Sequence, residues 1–335
     1  MDILEVKKYV EDAYDLHIEF IEKVKSIYKV HTKYNKYCLK VINYDFGHFL
    51  FIISAIKHLQ NKNFKSIPEI IKTKQGKDYI EIERSYAYLC RWVDSRQCDF
   101  TNLLDVLIAT SKLAELHKKS CNFKVLKNMN PRIGWFKWID TFRTRENEIM
   151  DFKKRILNKD HKEEFDILYL NSMEKEISIA EKSIEDLKRT KYLDQMKQEV
   201  SNNGFCHHDY ANHNILIGNE EEINIIDFDY CILDTHLHDL ASLLIRRMKN
   251  GKWNMNNASF IIDAYNAINV VKTDDILIMS AFMEFPQGYW QLGIQYYWEK
   301  QPWGEEIFIK KLKRILGDTR ERLEFIDEFK CKKYN

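Results

Sequence analysis

No CxxC pair occurs among the seven cysteines, and their odd number fits reduced thiols better than a disulfide framework or a zinc site. Net charge is nearly absent too. At +1 the chain has no global field to recruit nucleic acid or a membrane surface, and basic stretches such as Lys310-Lys311-Leu312-Lys313-Arg314 read as solvated helix faces. No apolar run reaches the length of a spanning helix; the nearest, Phe46 to Ile56, contains Gly47 and His48. The segment Met1 to Tyr14 carries charges where a signal peptide needs an apolar core, so the expected location is the cytoplasm. Internal repeats and low-complexity tracts are missing as well.

What is there suits a soluble protein. With 45% hydrophobic and 31% charged residues over 335 positions, the chain can bury a substantial core and divide into two lobes or domains. Ile3, Val6, Val10, Tyr14 and Ile18 share one face of a helix predicted over residues 1–22. Strands are predicted at Val24–Thr32 and Tyr37–Ile42, a helix through Phe49–Gln60, and a hairpin across Lys74-Gln75-Gly76-Lys77 into Tyr79–Ile82. This small sheet-bearing lobe covers residues 1–93, and the polar stretch 94–100 reads as a hinge. From 101 to 335 the pattern is helical. Leu103, Leu107, Thr110, Leu113 and Leu116 form the expected buried stripe of one helix. Met173, Ile177, Ala180, Ile184 and Leu187 mark paired antiparallel helices in an insertion spanning about 140–200.

One stretch breaks the helical pattern and carries the chemistry. His207-His208-Asp209-Tyr210-Ala211-Asn212-His213-Asn214 is followed by a short hairpin and Ile225-Ile226-Asp227-Phe228-Asp229. The order H-x-D-x-x-x-x-N, then an apolar strand ending in Asp, is how kinase-like sites assemble a base and a magnesium site. Phosphoryl transfer is mostly positioning plus charge neutralisation: one carboxylate at the incoming hydroxyl, two hard oxygen ligands beside the phosphates. Asp209 suits the first role, Asn214 and Asp227 the second. Gly218-Asn219 with Glu220 to Glu222 reads as the turn that returns Asp227 to Asn214. Lys40 lies on a strand apolar on both faces, which argues for an anionic partner such as a nucleotide phosphate. Asp229 reads as a solvated carboxylate more readily than as a second metal ligand.

With His207, Asp209, Asn214, Asp227 and His238-Asp239-Leu240-Ala241, the chain resembles the aminoglycoside phosphotransferase and choline kinase superfamily. The tail Phe285-Pro286-Gln287-Gly288-Tyr289-Trp290, the His-His-Asp-Tyr variant and the run 49–59 are similar to spore coat proteins of the CotS type. The resemblance implies an α+β, bilobal protein-kinase-like fold, with a small antiparallel N-lobe and a larger, mainly helical C-lobe holding the catalytic loop 206–229. It further implies ATP and Mg²⁺ as cofactors, with Lys40 on the phosphates and backbone of Leu89, Cys90, Arg91 and Trp92 at the adenine. His207 and Asp239 would brace the catalytic loop. The implied partners are a small alcohol acceptor and other spore coat proteins. The implied location is the mother cell of a sporulating bacterium, with deposition on the forespore surface.

Two departures favour an alternative, a catalytically degenerate coat or scaffold protein. No glycine lies between Lys23 and Tyr37, so a flexible loop of exposed amides over the phosphates is missing. No acidic residue lies between Phe46 and Gln60 to clamp Lys40, so Asp45 or Glu69 would have to substitute. A protein kinase fits less well. Asp227-Phe228-Asp229 lacks the glycine of DFG, and the 11 residues between Asp227 and Asp239 leave no room for an activation loop. His207, His208, His213, His236 and His238 as metal ligands would require helical spacing, which the strand 215–217 interrupts. The aromatic group from Tyr289 to Trp303 tempts toward a quaternary-ammonium cage, but Trp290, Ile294 and Trp298 share a face and read as helix packing.

Overall fold

Helical periodicity at the start of the chain gives way before Ile18. In the computed structural model, which describes residues 2–219 and 222–333, α1 spans Ile3–Ala13 and the chain then enters strand β1, Ile18–Val24. The predicted helix to residue 22 is therefore too long. Ile18 still joins Val6, Val10 and Tyr14 in one buried cluster, although it arrives there from a strand, while Ile3 is exposed and stays outside it. β2 (Ile27–Thr32) and β3 (Lys36–Ile42) follow, then α2 (Phe46–Asn61), β4 (Ile70–Ile71), β5 (Ile80–Ile82) and β6 (Ser85–Arg91). The strands form an antiparallel sheet in the order β1-β2-β3-β6-β4, with β5 also paired to β6. Thr73 and Lys77 do close a turn, yet the flanking strands pair with β6 and not with each other, so the expected hairpin is a connection between two sheet positions.

The chain divides into two compact units, residues 1–133 with 202–233 and residues 134–201 with 234–335. The first holds the sheet, strand β7 (Ser95–Gln97), helix α3 (Leu103–Ser120), and the hairpin of β8 (Ile215–Gly218) and β9 (Ile223–Ile225). β7, β8 and β9 form a second antiparallel sheet. The expected turn residues Glu220 and Glu221 lie outside the described residues. Asn102 caps α3 through its side-chain oxygen. On that helix Thr110, Leu113 and Leu116 are buried as expected, whereas Leu103 and Leu107 are exposed, because Asp105 and Val106 between them take the buried face of the first turns.

The second unit is helical: α4 (Trp138–Leu157), α5 (Glu164–Arg189), most of α6 (Tyr192–Asn202), α7 (Leu237–Met248), α8 (Met255–Asn266), α9 (Thr273–Glu284), α10 (Gln287–Gly293) and α11 (Glu305–Lys330). α4 packs on α5, which gives the 140–200 segment its paired-helix character. Tyr289, Leu292 and Tyr297 pack into an apolar core with Phe152, Phe165 and Tyr169, and Trp290, Ile294, Tyr296 and Trp303 pack against it, whereas Trp298 is exposed. A buried ion pair joins this unit internally. Glu199 accepts hydrogen bonds from Gln195, Thr235 and His236, and the His236 interaction measures 2.5 Å. No helix among the described residues is long and apolar enough to cross a membrane.

Candidate functional site

The loop before β8 is held from below. Cys206 exchanges backbone hydrogen bonds with Ile232, at 2.8 and 3.1 Å, and fully buried His207 reaches the carbonyl of Ile226 at 2.9 Å. His207 thus ties the loop to the end of the return strand. Asp239, the other expected brace, lies on α7 in the second unit, fully buried beside His238 at 3.3 Å.

Asn214 is buried, and its Nδ2 donates to Asp209 twice, to the carbonyl at 2.9 Å and to Oδ2 at 3.0 Å. A carboxylate only accepts, so this contact fixes the amide orientation and turns Oδ1 away from Asp209. Asp209 and Asn214 are thereby locked in one arrangement. The Ile226 N–H donates to the Asn214 carbonyl at 3.0 Å, which brings Asp227, the next residue, to the same end of the hairpin.

Asp227 has left-handed backbone, φ 68° and ψ 63°. His208 shares that region with φ 67°. Asp and His tolerate it better than bulkier side chains, but two such residues so close together store strain, and strain of this kind gathers at functional sites. The left-handed turn has a direct consequence: it swings the carboxylates of Asp227 and Asp229 toward the same point. Lys40 Nζ sits 2.6 Å from each.

This answers the question of the Lys40 clamp. Asp45, one expected substitute, instead caps α2 by accepting from the His48 N–H at 3.1 Å, and Glu69, the other, is exposed. The clamp comes from the Asp-Phe-Asp turn. Asp229 is not a solvated carboxylate: its side chain is 21% exposed and ion-paired. Sequence reasoning missed it, although two carboxylates at i and i+2 in a turn, with no helix acid available, was the signal. His48 lies between two carbonyls, that of Asn130 at 3.2 Å from Nδ1 and that of Asp229 at 3.5 Å from Nε2. The 128–130 segment can pass so close to α2 because residue 47 is glycine; a Cβ there would meet Asn130 at 3.0 Å.

The charges sort themselves accordingly. Burial disfavours the Lys40 ammonium, yet Asp229 and Asp227 outweigh it and hold its pKa above the usual lysine value. Asp227 is also raised by burial, but the Lys40 ammonium carries it net below the ordinary carboxylate range. Asp229 stays net above that range, raised by burial and by the neighbouring Asp227 charge. At neutral pH Asp227 is thus an ionised, partly exposed carboxylate.

A cavity of ≈ 590 Å³ opens on this cluster. Lys40, Asn214 and Asp227 line it, and so do Cys90, Arg91 and Trp92 where β6 leaves the sheet. Leu89, the other residue expected at the adenine, does not line it; its side chain is fully buried in the apolar core. The lip is the β1–β2 connection, Lys25-Ser26, closed by the pair Val24–Ile27 and with Lys25 at φ 54°. Where a glycine loop is missing, a two-residue turn with a cationic and a hydroxyl side chain stands. The oxygen donors Asp227 and Asn214 suit a hard cation such as Mg²⁺, which keeps water and takes few protein ligands.

Comparison with known proteins places this geometry. An aminoglycoside phosphotransferase from Alicyclobacillus acidocaldarius superposes with a TM-score of 0.83 at 19% identity, covering 96% of this chain and 94% of that one. Spectinomycin phosphotransferase APH(9)-Ia, solved with ADP and spectinomycin, gives 0.69 at 14% identity over 98% of both chains. Amicoumacin kinase hAmiN, solved with AMP-PNP, Ca²⁺ and Ami, gives 0.66 at 14% identity, covering 98% and 94%. The fold is therefore the bilobal, protein-kinase-like α+β fold of the aminoglycoside phosphotransferase class, with a small antiparallel N-lobe and a larger helical C-lobe. Within that class the assignment narrows. The family model for the spore coat putative kinase YutH matches residues 7–329, and the chain belongs to that family, the CotS-like branch.

Proposed function

We propose that this chain is a Mg²⁺- and ATP-dependent phosphotransferase acting on the hydroxyl of a small molecule. The observation that carries the reading is the lock between Asp209 and Asn214 beside the Lys40–Asp227–Asp229 cluster, with Lys40, Asn214 and Asp227 lining a cavity large enough for a nucleotide. Asn214 and Asp227 hold Mg²⁺, which when bound neutralises charge on the phosphate oxygens. Lys40 exchanges part of its carboxylate pairing for the α- and β-phosphates. Backbone of residues 89–92 receives the adenine edge. Asp209 orients the acceptor hydroxyl and takes its proton as the oxygen bonds to the γ-phosphorus and the bond to the β-phosphate oxygen breaks, releasing ADP. That two of the similar solved structures hold adenine nucleotides supports this reading. Asp227→Ala is expected to abolish Mg·ADP binding, whereas Asp209→Asn retains it and loses turnover. Equal Mg·ADP affinity in wild type and Asp227→Ala would reject the proposal.

A second reading, a coat scaffold without turnover, is favoured by the glycine-free lip at Lys25-Ser26 and by the family's spore coat description. Its signature is an absence of heat and of thermal shift with Mg·ATP. In either case we place the protein in the mother cell of a sporulating bacterium, with other coat proteins as partners, and the two readings coexist if the coat subunit kept its chemistry.

A further inference from the structure

Two of the seven cysteines face each other across the sheet at the cavity. Cys38 on β3 is paired directly with Cys90 on β6, and both line the cavity beside Lys40 and Tyr88. The register decides what such a pair can do. Trp92 N–H donates to the Lys36 carbonyl at 3.0 Å, which makes 36 and 92 a hydrogen-bonded pair. Alternation along an antiparallel ladder then makes 38 and 90 another, with Cα atoms about 5.5 Å apart. That span lies inside the range a disulfide bridges, ~4.4–6.8 Å. The Cys90 thiol already donates to the Cys38 carbonyl at 3.8 Å, so its sulfur leans toward the opposite strand. None of the other cysteines shares this arrangement: Cys98, Cys121, Cys206, Cys231 and Cys331 are outside the cavity lining.

We infer that Cys38 and Cys90 are an oxidisable dithiol in the wall of the nucleotide cavity, which a peroxide converts to an intrachain disulfide that weakens nucleotide binding. The inference rests on the nucleotide reading above for its consequence, though not for the bond itself. Cys38 is the attacking thiol. It is the more exposed of the two, and hydrogen bonding with Cys90 and the nearby Lys40 ammonium hold it below the usual thiol value. Its thiolate attacks one peroxide oxygen, the O–O bond breaks, and the departing oxygen leaves as water after taking a proton, giving the Cys38 sulfenic acid. Cys90 sulfur then attacks the Cys38 sulfur; the S–S bond forms, the S–O bond breaks, and the hydroxyl leaves as water with the Cys90 proton. Two thiols lose two electrons together, and one peroxide is reduced to two waters.

The consequence follows from where the bond forms. Bonding requires the facing Cβ atoms to approach to ~3.8 Å, closer than a hydrogen-bonded pair normally holds them. β3 and β6 must therefore tilt together one residue before Arg91 and Trp92, the exit that lines the cavity. A nucleotide base lying against that wall would in turn cover both sulfurs. Occupancy and oxidation should oppose each other.

The test uses the full chain, treated with hydrogen peroxide with and without Mg·ADP, followed by peptide mass spectrometry and calorimetry. The expected result is a Cys38–Cys90 cross-link, slowed several-fold by Mg·ADP, together with at least a tenfold loss of Mg·ADP affinity that dithiothreitol reverses. Cys38→Ser, and separately Cys90→Ser, should each show an affinity that peroxide leaves at its own reduced baseline. A cross-link absent from the wild type, or one that leaves Mg·ADP affinity unchanged, would overturn the inference. If the reduced wild type binds no Mg·ADP, the nucleotide reading fails and with it the claimed consequence, while the peptide map still decides whether the dithiol forms its bond.

Discussion

Each unit of this protein contains a buried charge cluster, and the two are built differently. In the helical unit, Glu199 is 7% exposed at its side chain and takes hydrogen bonds from Gln195, Thr235 and His236. The His236 ion pair leads the interactions that bring its pKa down to about 2 in spite of burial. In the sheet-bearing unit, Lys40 shares itself between Asp227 and Asp229, the first of these on left-handed backbone and 40% exposed at its side chain. One cluster is sealed and its charges satisfy each other. The other faces a cavity, its backbone is strained, and two carboxylates compete for one cation. A sealed cluster holds structure, while one with a surplus of negative charge at a cavity is ready for an added cation.

Substitutions should separate the two clusters, and the largest effect is expected at Asp227. Asp227→Ala removes the carboxylate of the proposed cation site, so calorimetric binding of Mg·ADP should vanish while the helical unit is untouched. Asp209→Asn comes next. It should lower turnover by about 10²- to 10⁴-fold, the usual value of a positioned base, and leave Mg·ADP affinity within error.

Glu199→Gln probes the sealed cluster, with an expected loss of about 3 kcal/mol in chemical denaturation and no change in nucleotide affinity. Its pH signature can be worked out. Glu199, lowered from 4.5 to about 2, contributes stability that is present above 4.5 and lost as pH falls toward 2. His236, raised above 6.5, contributes stability that is present below 6.5 and lost as pH rises through its folded value. The pair therefore stabilises most fully between about 4.5 and 6.5, and this dependence should flatten in the variant. If Glu199→Gln changed nucleotide binding instead, the contrast between the clusters would be wrong.

Lys40→Met leaves two carboxylates facing one another. We expect about 2 kcal/mol of destabilisation, discounted from a buried pair because Asp227 is 40% exposed, together with weakened Mg·ADP binding. Asp45→Ala should have the smallest effect, about 1 kcal/mol from the lost cap of α2, with nucleotide affinity unchanged. An affinity loss at Asp45 would mean that it, and not the Asp-Phe-Asp turn, clamps Lys40.

The same contrast explains what could be read from the sequence. His207, Asp209, Asn214 and Asp227 were legible because order and spacing along the chain specify a loop and a hairpin, and those local rules hold here. The clamp on Lys40 was not. It depends on one residue adopting positive φ so that Asp229 turns back, which neither helical nor strand periodicity records. The boundary at Ile18 failed for a related reason: its burial in the same cluster as Val10 and Tyr14 satisfies a helical pattern and a strand equally well. Leu103 and Leu107 fit the stripe of α3, yet stand where nothing in the unit covers them. The second unit's helices were visible in outline from the spacing of Met173, Ala180, Ile184 and Leu187, but Glu199 and His236 are 37 residues apart and only the folded chain brings them together.

Titration of the purified, reduced wild-type chain with ATP, in the presence of Mg²⁺ and then of EDTA, addresses the central claim most directly. The account predicts heat of binding with Mg²⁺ that is lost when the metal is chelated. A chain that gives no heat and no thermal shift with Mg·ATP would contradict it, and leave the cavity as the relic of a scaffold.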